Sequence, residues 1–231
     1  MKKERSIGWL LLIGAAGVLV PYTILTVIFE YPVILRQDTG TILTKFYNGG
    51  GRLIATWFAF AATGAILIPA YIFIGQKLER NSSLARFATT IGVIGLLVQL
   101  IGLLRWVFVV PVLSNAYVHA GDEATKAAAV IAFKTIHQFA GVLLGEHLGQ
   151  LFTIVWTVII SIILFRIKFI PKWLSMFGII SSFIYLLAQA ELFATVIPGF
   201  PAWDMAGFIG STLWLVWLII LGIRFFKIQM T

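Results

Sequence analysis

Residues 88–112, ATTIGVIGLLVQLIGLLRWVFVVPV, decide the fold. An α-helix needs about 20 predominantly apolar residues to cross a hydrocarbon core roughly 30 Å thick. This run is longer than that and carries a single charge, Arg105. Working outward, comparable runs occupy about residues 8–29, 52–76, 141–165, 173–195 and 205–225. The sequence therefore predicts an all-α integral membrane bundle of six transmembrane helices, one domain over residues 1–231. Composition agrees: 60% of residues are hydrophobic and 11% charged, where soluble domains carry about 25% charged residues.

The first run follows Lys2, Lys3 and Arg5, as a signal peptide would. It exceeds the usual apolar region of about 7 to 15 residues and lacks a convincing cleavage site, so it is expected to be a retained helix. Cysteine is absent, which removes disulfides, thiolate ligands and a thiol nucleophile. In a soluble chain the net charge of +8 would point to nucleic acid. Here the cations alternate between loops. Lys2, Lys3, Arg5, Lys77, Arg80, Arg86, Arg166, Lys168, Lys172, Arg224 and Lys227 fall on one side, and Arg36, Lys45, Arg52, Lys126 and Lys134 on the other. By the positive-inside rule the larger set is cytoplasmic, with both termini. The basic balance is then a topology signal; no nucleic-acid partner is expected, and the location is the cytoplasmic (plasma) membrane.

Two connections on the outer side are long. Residues 30–51 contain a turn at Asn48-Gly49-Gly50-Gly51, and residues 113–140 are expected to form an outside loop or interfacial helix, with helix formers from Ala124 to Ala132. Continuity of that piece with the fourth span would give a helix of over 40 residues, about 60 Å long, so a bend near Gly141 is expected. Several tryptophans, among Trp57, Trp106, Trp173, Trp203, Trp214 and Trp217, fall near the ends of spans, where indole rings commonly settle.

Lipid rejects five of the groups inside these spans: Arg105, Glu146 and His147, Gln189 and Glu191. Helix direction places all of them in the outer half. Along the fourth helix Gln138, Glu146, Gln150, Thr153 and Thr157 make a polar stripe, while Gly141, Gly145 and Gly149 form overlapping GxxxG steps that let a helix pack closely. Two readings follow. In one, Arg105 pairs with Glu146 or Glu191 and simply holds the bundle together. In the other, Arg105 captures an acidic or carbonyl-bearing ligand, Glu146 serves as counter-ion or proton acceptor, and His147, Gln150, Gln189 and Glu191 complete a pocket with Arg52 at its outer mouth.

Metal and haem are the alternatives for the histidines. On one α-helix His137 and His147 would stand about 15 Å apart axially and about 80° apart in direction, so they cannot share an ion. Zinc would need His147 or His137 with His119 or Glu191, and no HExxH-type spacing supports it. No metal and no cofactor are expected, and no nucleophilic serine motif is present. The Gly49–Gly51 run before Arg52 lacks the lysine and serine of a phosphate loop.

Gly51-Arg52-Leu53, Arg105-Trp106, His137-Gln138 and Gly145-Glu146-His147-Leu148-Gly149 together resemble the bacterial membrane proteins grouped as the domain of unknown function 4386 family. The resemblance implies a multi-helix bacterial membrane protein and brings no reaction, cofactor or substrate. The expected function is binding, sensing or transport of a small or amphipathic, lipid-like ligand through an outward-facing pocket. The competing classes are a membrane enzyme or redox subunit using Glu146 or His147, and an accessory subunit whose glycine ridge docks a membrane protein partner.

Overall fold

A computed structural model describes residues 2–227, with side chains from Glu4 onward. Its elements are α1 (Lys2–Ile28), a 3-10 turn (Val33–Arg36), α2 (Thr39–Gly64), α3 (Leu67–Leu78), α4 (Leu84–Phe108), α5 (Val110–Val118) and α6 (Glu123–Ile136). A π-helical segment (His137–Leu148) leads into α7 (Gly149–Arg166), followed by α8 (Lys172–Leu187), α9 (Gln189–Ala194) and α10 (Ala206–Lys227). No strand occurs among the described residues. Among the described residues six helical runs are long and apolar enough to cross a membrane: Glu4–Ile28, Thr39–Leu78, Leu84–Val118, Glu123–Arg166, Lys172–Ala194 and Ala206–Lys227.

Proline sets two of the joints. Pro69 lacks an N–H for the carbonyl of Ala65 and its ring crowds that carbonyl, and α2 gives way to α3 there. Pro111 divides α4 from α5 in the same manner. The spans pack in a ring in chain order. Each one touches its neighbours in sequence, and α10 closes against α1.

Three of the runs are much longer than a bilayer requires. Starting from the basic residues Arg5, Lys77, Arg86, Arg166, Lys172 and Arg224, about 20 residues of helix cover the roughly 30 Å core. The far boundary then falls at about residues 25, 57, 106, 146, 192 and 204. Beyond it α2, α5 and α6 continue for roughly 20 to 30 Å and form a helical cap on the end away from the termini. The expected outer connections are thus helices. Asp38 caps α2 by accepting from the Thr41 N–H at 3.1 Å, and Asp122 caps α6 by accepting from the Thr125 N–H at 2.7 Å. The expected glycine turn is instead a break inside α2, at Gly50 with φ 53° and ψ −151°, a conformation open to glycine. No interruption occurs at Gly141. The fourth run stays helical throughout, and only its hydrogen-bonding register changes, from i→i+4 to i→i+5 over the π segment.

Two apolar cores result. One fills the half of the bundle next to the termini, with Leu11, Tyr71, Trp156 and Trp217 at its centre. The other lies under the cap, where Trp57 and Trp106 stack at 4.9 Å and 10°, flanked by Phe29, Phe46 and Phe133. Several indoles thus depart from the interfacial expectation: Trp57, Trp106 and Trp217 are fully buried and Trp214 nearly so, while Trp173 and Trp203 are exposed.

Candidate functional site

Between the two cores lies a layer of polar side chains. The closest helix crossing in that layer is between α4 and the fourth run. Gly102 lies against Gly145, where an added Cβ would come within 2.9 Å of the Gly145 Cα. Gly149 lies against Gln99, whose amide donates to the Gly149 carbonyl and the Thr153 hydroxyl, both at 2.9 Å. Gly141 lies under the Arg105 guanidinium. The three ridge glycines therefore all face α4, and they bring backbone close enough for Arg105 to lie flat across the fourth helix.

Arg105 is 6% exposed. It donates from Nη1 to the Gly102 carbonyl, sits 3.4 Å from His137 Nδ1 through Nη2, and places its Cζ 5.1 Å from the centre of the Trp106 ring. His137 is itself stacked on Phe133 at 5.4 Å. The Nε of Arg105 is buried with no partner among the described residues. Neither expected carboxylate touches it. Glu191 forms its ion pair with Arg36, at 3.2 Å. Glu146 interacts with Arg105 electrostatically, without a hydrogen bond.

Glu146 is half-buried and makes no hydrogen bond among the described residues. Its electrostatic neighbours are Arg105, Glu191, Tyr31 and Tyr185, and both tyrosines in turn neighbour Tyr22. Tyr31 lies in the connection after α1, 5.6 Å ring to ring from Tyr22. Burial pushes its hydroxyl above the usual phenol range; the Glu146 charge adds to this and the Arg105 charge opposes it. Tyr22, Tyr31 and Tyr185 are all half-buried and without a hydrogen-bond partner among the described residues. A carboxylate and three phenols thus converge at the inner edge of the cap with their hydrogen-bonding capacity unused.

The remaining expected residues fall into separate groups. His147, Gln189 and Gln150 form a chain, with His147 Nδ1 2.6 Å from Gln189 Oε1, and Gln189 Nε2 donating to Gln150 Oε1 at 2.7 Å. Arg52 is exposed on α2 and takes no part in these contacts. Gln138 leaves the stripe and donates to the Thr195 hydroxyl at 2.9 Å. His137 and His147 belong to different networks, and no cluster of three metal-ligating side chains occurs among the described residues.

Sequence reasoning missed Gln99, Tyr22, Tyr31 and His137 as parts of this layer. Gln99 was open to the same test as Arg105, a polar group in an apolar run. Tyr31 gave no signal, because it lies in what reads as a loop.

The depth of the layer bears on its energetics. Arg105, Glu146, His147, Gln189 and Glu191 all lie within a turn of the far hydrocarbon boundary. A charge there costs far less than the several kcal/mol typical of the bilayer centre.

The sequence model of a family described as Domain of unknown function (DUF4386) matches residues 5–222. No curated protein and no solved structure matches the chain.

Proposed function

The chain belongs to the DUF4386 family, and on that footing we propose that it binds a small or amphipathic ligand at the polar layer beneath its cap, in a binding or sensing role. The observation that carries the reading is Glu146, a half-buried carboxylate with no hydrogen bond among the described residues, neighboured by the Tyr31 and Tyr185 phenols, which are equally without hydrogen-bond partners there. These oxygens are reachable rather than sealed in, and the one buried polar atom of the layer left unpaired on Arg105 is its Nε, so a ligand can complete the set where water otherwise would. Arg105 supplies positive charge for an acidic or carbonyl group, Glu146 the counter-ion or proton acceptor, and the Gln150–Gln189–His147 chain holds the wall.

We read the cation distribution by the positive-inside rule as an orientation with cytoplasmic termini, in which the pocket faces outward from a bacterial cytoplasmic membrane. Between it and the cytoplasmic end lies the apolar core around Tyr71, Trp156 and Trp217, which favours one-sided access over an open path. The test is to purify the full chain in mild detergent, extract it, and identify small molecules by mass spectrometry. One molecule per chain is expected in the wild type and none in Glu146→Leu. Equal extracts from the two, with Glu146→Leu the more stable protein, would overturn the proposal.

A second reading, proton transfer in a membrane enzyme or redox subunit, draws on His147. Its ring is fixed through Nδ1 by Gln189, an arrangement that orients an imidazole for acid–base work. A Soret band or stoichiometric zinc in the purified protein would favour that reading.

A further inference from the structure

Of the six glutamates, Glu4, Glu30, Glu79, Glu123 and Glu191 form ion pairs, with Lys77, Lys45, Arg86, Lys126 and Arg36. Glu146 has no such partner among the described residues. We propose that it is the counter-ion of an organic ammonium group, held on the axis of the bundle in a cage of tyrosine rings. The inference rests on the reading of a ligand at the polar layer, and it names that ligand's charge and class.

The order of the spans locates the cage. They pack in a ring in chain order, so the first lies opposite the fourth and the second opposite the fifth. Tyr22 belongs to the first, Tyr71 to the second, Glu146 to the fourth and Tyr185 to the fifth. Glu146 is nevertheless an electrostatic neighbour of Tyr31, just past the first span, and of Tyr185. Tyr185 in turn neighbours both Tyr22 and Tyr71. Side chains from opposite sides of a ring come this close only along its axis. Four of the chain's six tyrosines thus gather around the glutamate that lacks an ion pair.

The chemistry of the cage selects a cation. The Tyr22 and Tyr31 rings stand 5.6 Å apart at 79°, two walls of a corner, with Phe208 6.5 Å from Tyr22 and Trp57 5.1 Å from Tyr31. Aromatic rings attract ammonium groups, and rings gathered into a cage suit alkylated ones. Arg105 does not fill this place: its Nη1 donates to the Gly102 carbonyl and its unpaired Nε is sealed in, whereas the Glu146 carboxylate is reachable. The charge that a ligand meets is therefore negative. A hard metal ion fits poorly, since it takes about six oxygen ligands and no cluster of three metal-ligating side chains occurs among the described residues. Tyr71 ends the cage toward the termini, with its ring stacked on Trp156 at 3.5 Å and its hydroxyl buried.

The test titrates the full chain in a non-ionic detergent with benzyltrimethylammonium and, separately, with benzoate, an anion of similar size, read by calorimetry. The ammonium is expected to bind at one per chain, and benzoate at least about tenfold more weakly. Glu146→Gln keeps the shape without the charge and should weaken the ammonium by at least about tenfold. Tyr22→Leu should weaken it by roughly fivefold, and Tyr22→Phe, which keeps the ring, by less than about twofold. Tighter binding of benzoate, ammonium binding unchanged in Glu146→Gln or Tyr22→Leu, or equal losses in Tyr22→Phe and Tyr22→Leu would each overturn the cage and leave a ligand at the polar layer. Unfolding of Glu146→Gln, seen by far-UV circular dichroism, would make the charge structural and overturn it as well. Binding of neither probe overturns the cage, and an empty mass-spectrometric extract overturns the ligand reading beneath it.

Discussion

Replacing Gly141 with alanine puts a methyl group where the Arg105 guanidinium lies. An added Cβ would stand 2.6 Å from Nη2 and 2.7 Å from Cζ, against about 3.5 to 4 Å for ordinary contact, so the guanidinium must retreat by roughly 1 Å. It has little freedom to do so, being held by the Gly102 carbonyl, His137 and the Trp106 face. Overpacking of this kind costs about 1 to 3 kcal/mol, offset by about 0.5 to 1 kcal/mol for alanine over glycine in a helix. The expected net loss is about 0.5 to 2 kcal/mol. In an Arg105→Met background the unbranched chain has no fork and can swing aside, so Gly141→Ala should keep only its helical gain. The coupling between the two positions is then about 1 to 3 kcal/mol. Unfolding the four proteins with SDS in mixed micelles, followed by far-UV circular dichroism, measures it. If Gly141→Ala has the same effect in both backgrounds, within about 0.5 kcal/mol, the guanidinium does not lie across Gly141.

The Gly102–Gly145 crossing makes an asymmetric prediction for the same assay. Gly102→Ala meets the Ala140 carbonyl at 2.8 Å and the Gly145 Cα at 2.9 Å, both backbone, and should cost about 1 to 3 kcal/mol. Gly145→Ala has its nearest atoms at 3.3 and 3.4 Å and should stay within about 1 kcal/mol of wild type. Arg105→Ala and Glu146→Ala should each lose the co-purifying molecule yet remain folded. If either unfolds and Arg105→Leu with Glu146→Leu restores stability, the charges serve packing alone. At the start of α6, the Thr125 N–H and hydroxyl hold Asp122 below the usual aspartate range. A lowered folded value means that its stabilisation is complete above the unfolded value of about 3.9 and is lost as pH falls through the folded one. Amide protection in the first turn of α6, followed by hydrogen exchange, should therefore fall below about pH 4. Asp122→Ala should lack both the protection and the pH step.

The spans were legible because crossing a bilayer demands an apolar run, and such runs as residues 88–112 have no other common reading. Of the cap only α6 was legible, from its helix formers; the rest was not, because beyond the hydrocarbon a helix needs no apolar surround. The stretch from Thr39 to Gly49 buries only Ile42, Leu43 and Phe46, and reads as a loop with glycines. The tryptophans illustrate a related limit. Trp57 and Trp106 do lie at the depth of the hydrocarbon boundary, but they point inward to each other, and depth along a sequence carries no direction.

Of the site, the GxxxG spacing marked a face that lets a helix pack closely, and Gly141, Gly145 and Gly149 all lie against α4. Pairing did not follow. Arg36 and His137, which engage Glu191 and Arg105, belong to segments whose positions only the folded cap defines. The π register over His137–Leu148 is likewise invisible in composition.

The proposal that the polar layer at Glu146 opens to water on the cap side is tested most directly by thiol labelling, since the chain has no cysteine and gives no background. Glu146→Cys, Lys126→Cys at a half-exposed position on α6 and Ile160→Cys in the buried core are treated in intact cells with a membrane-impermeant thiol reagent. Labelling of Glu146→Cys and Lys126→Cys, with Ile160→Cys unreactive, is the expected result. Labelling of Lys126→Cys alone would contradict an outward-facing polar layer at Glu146.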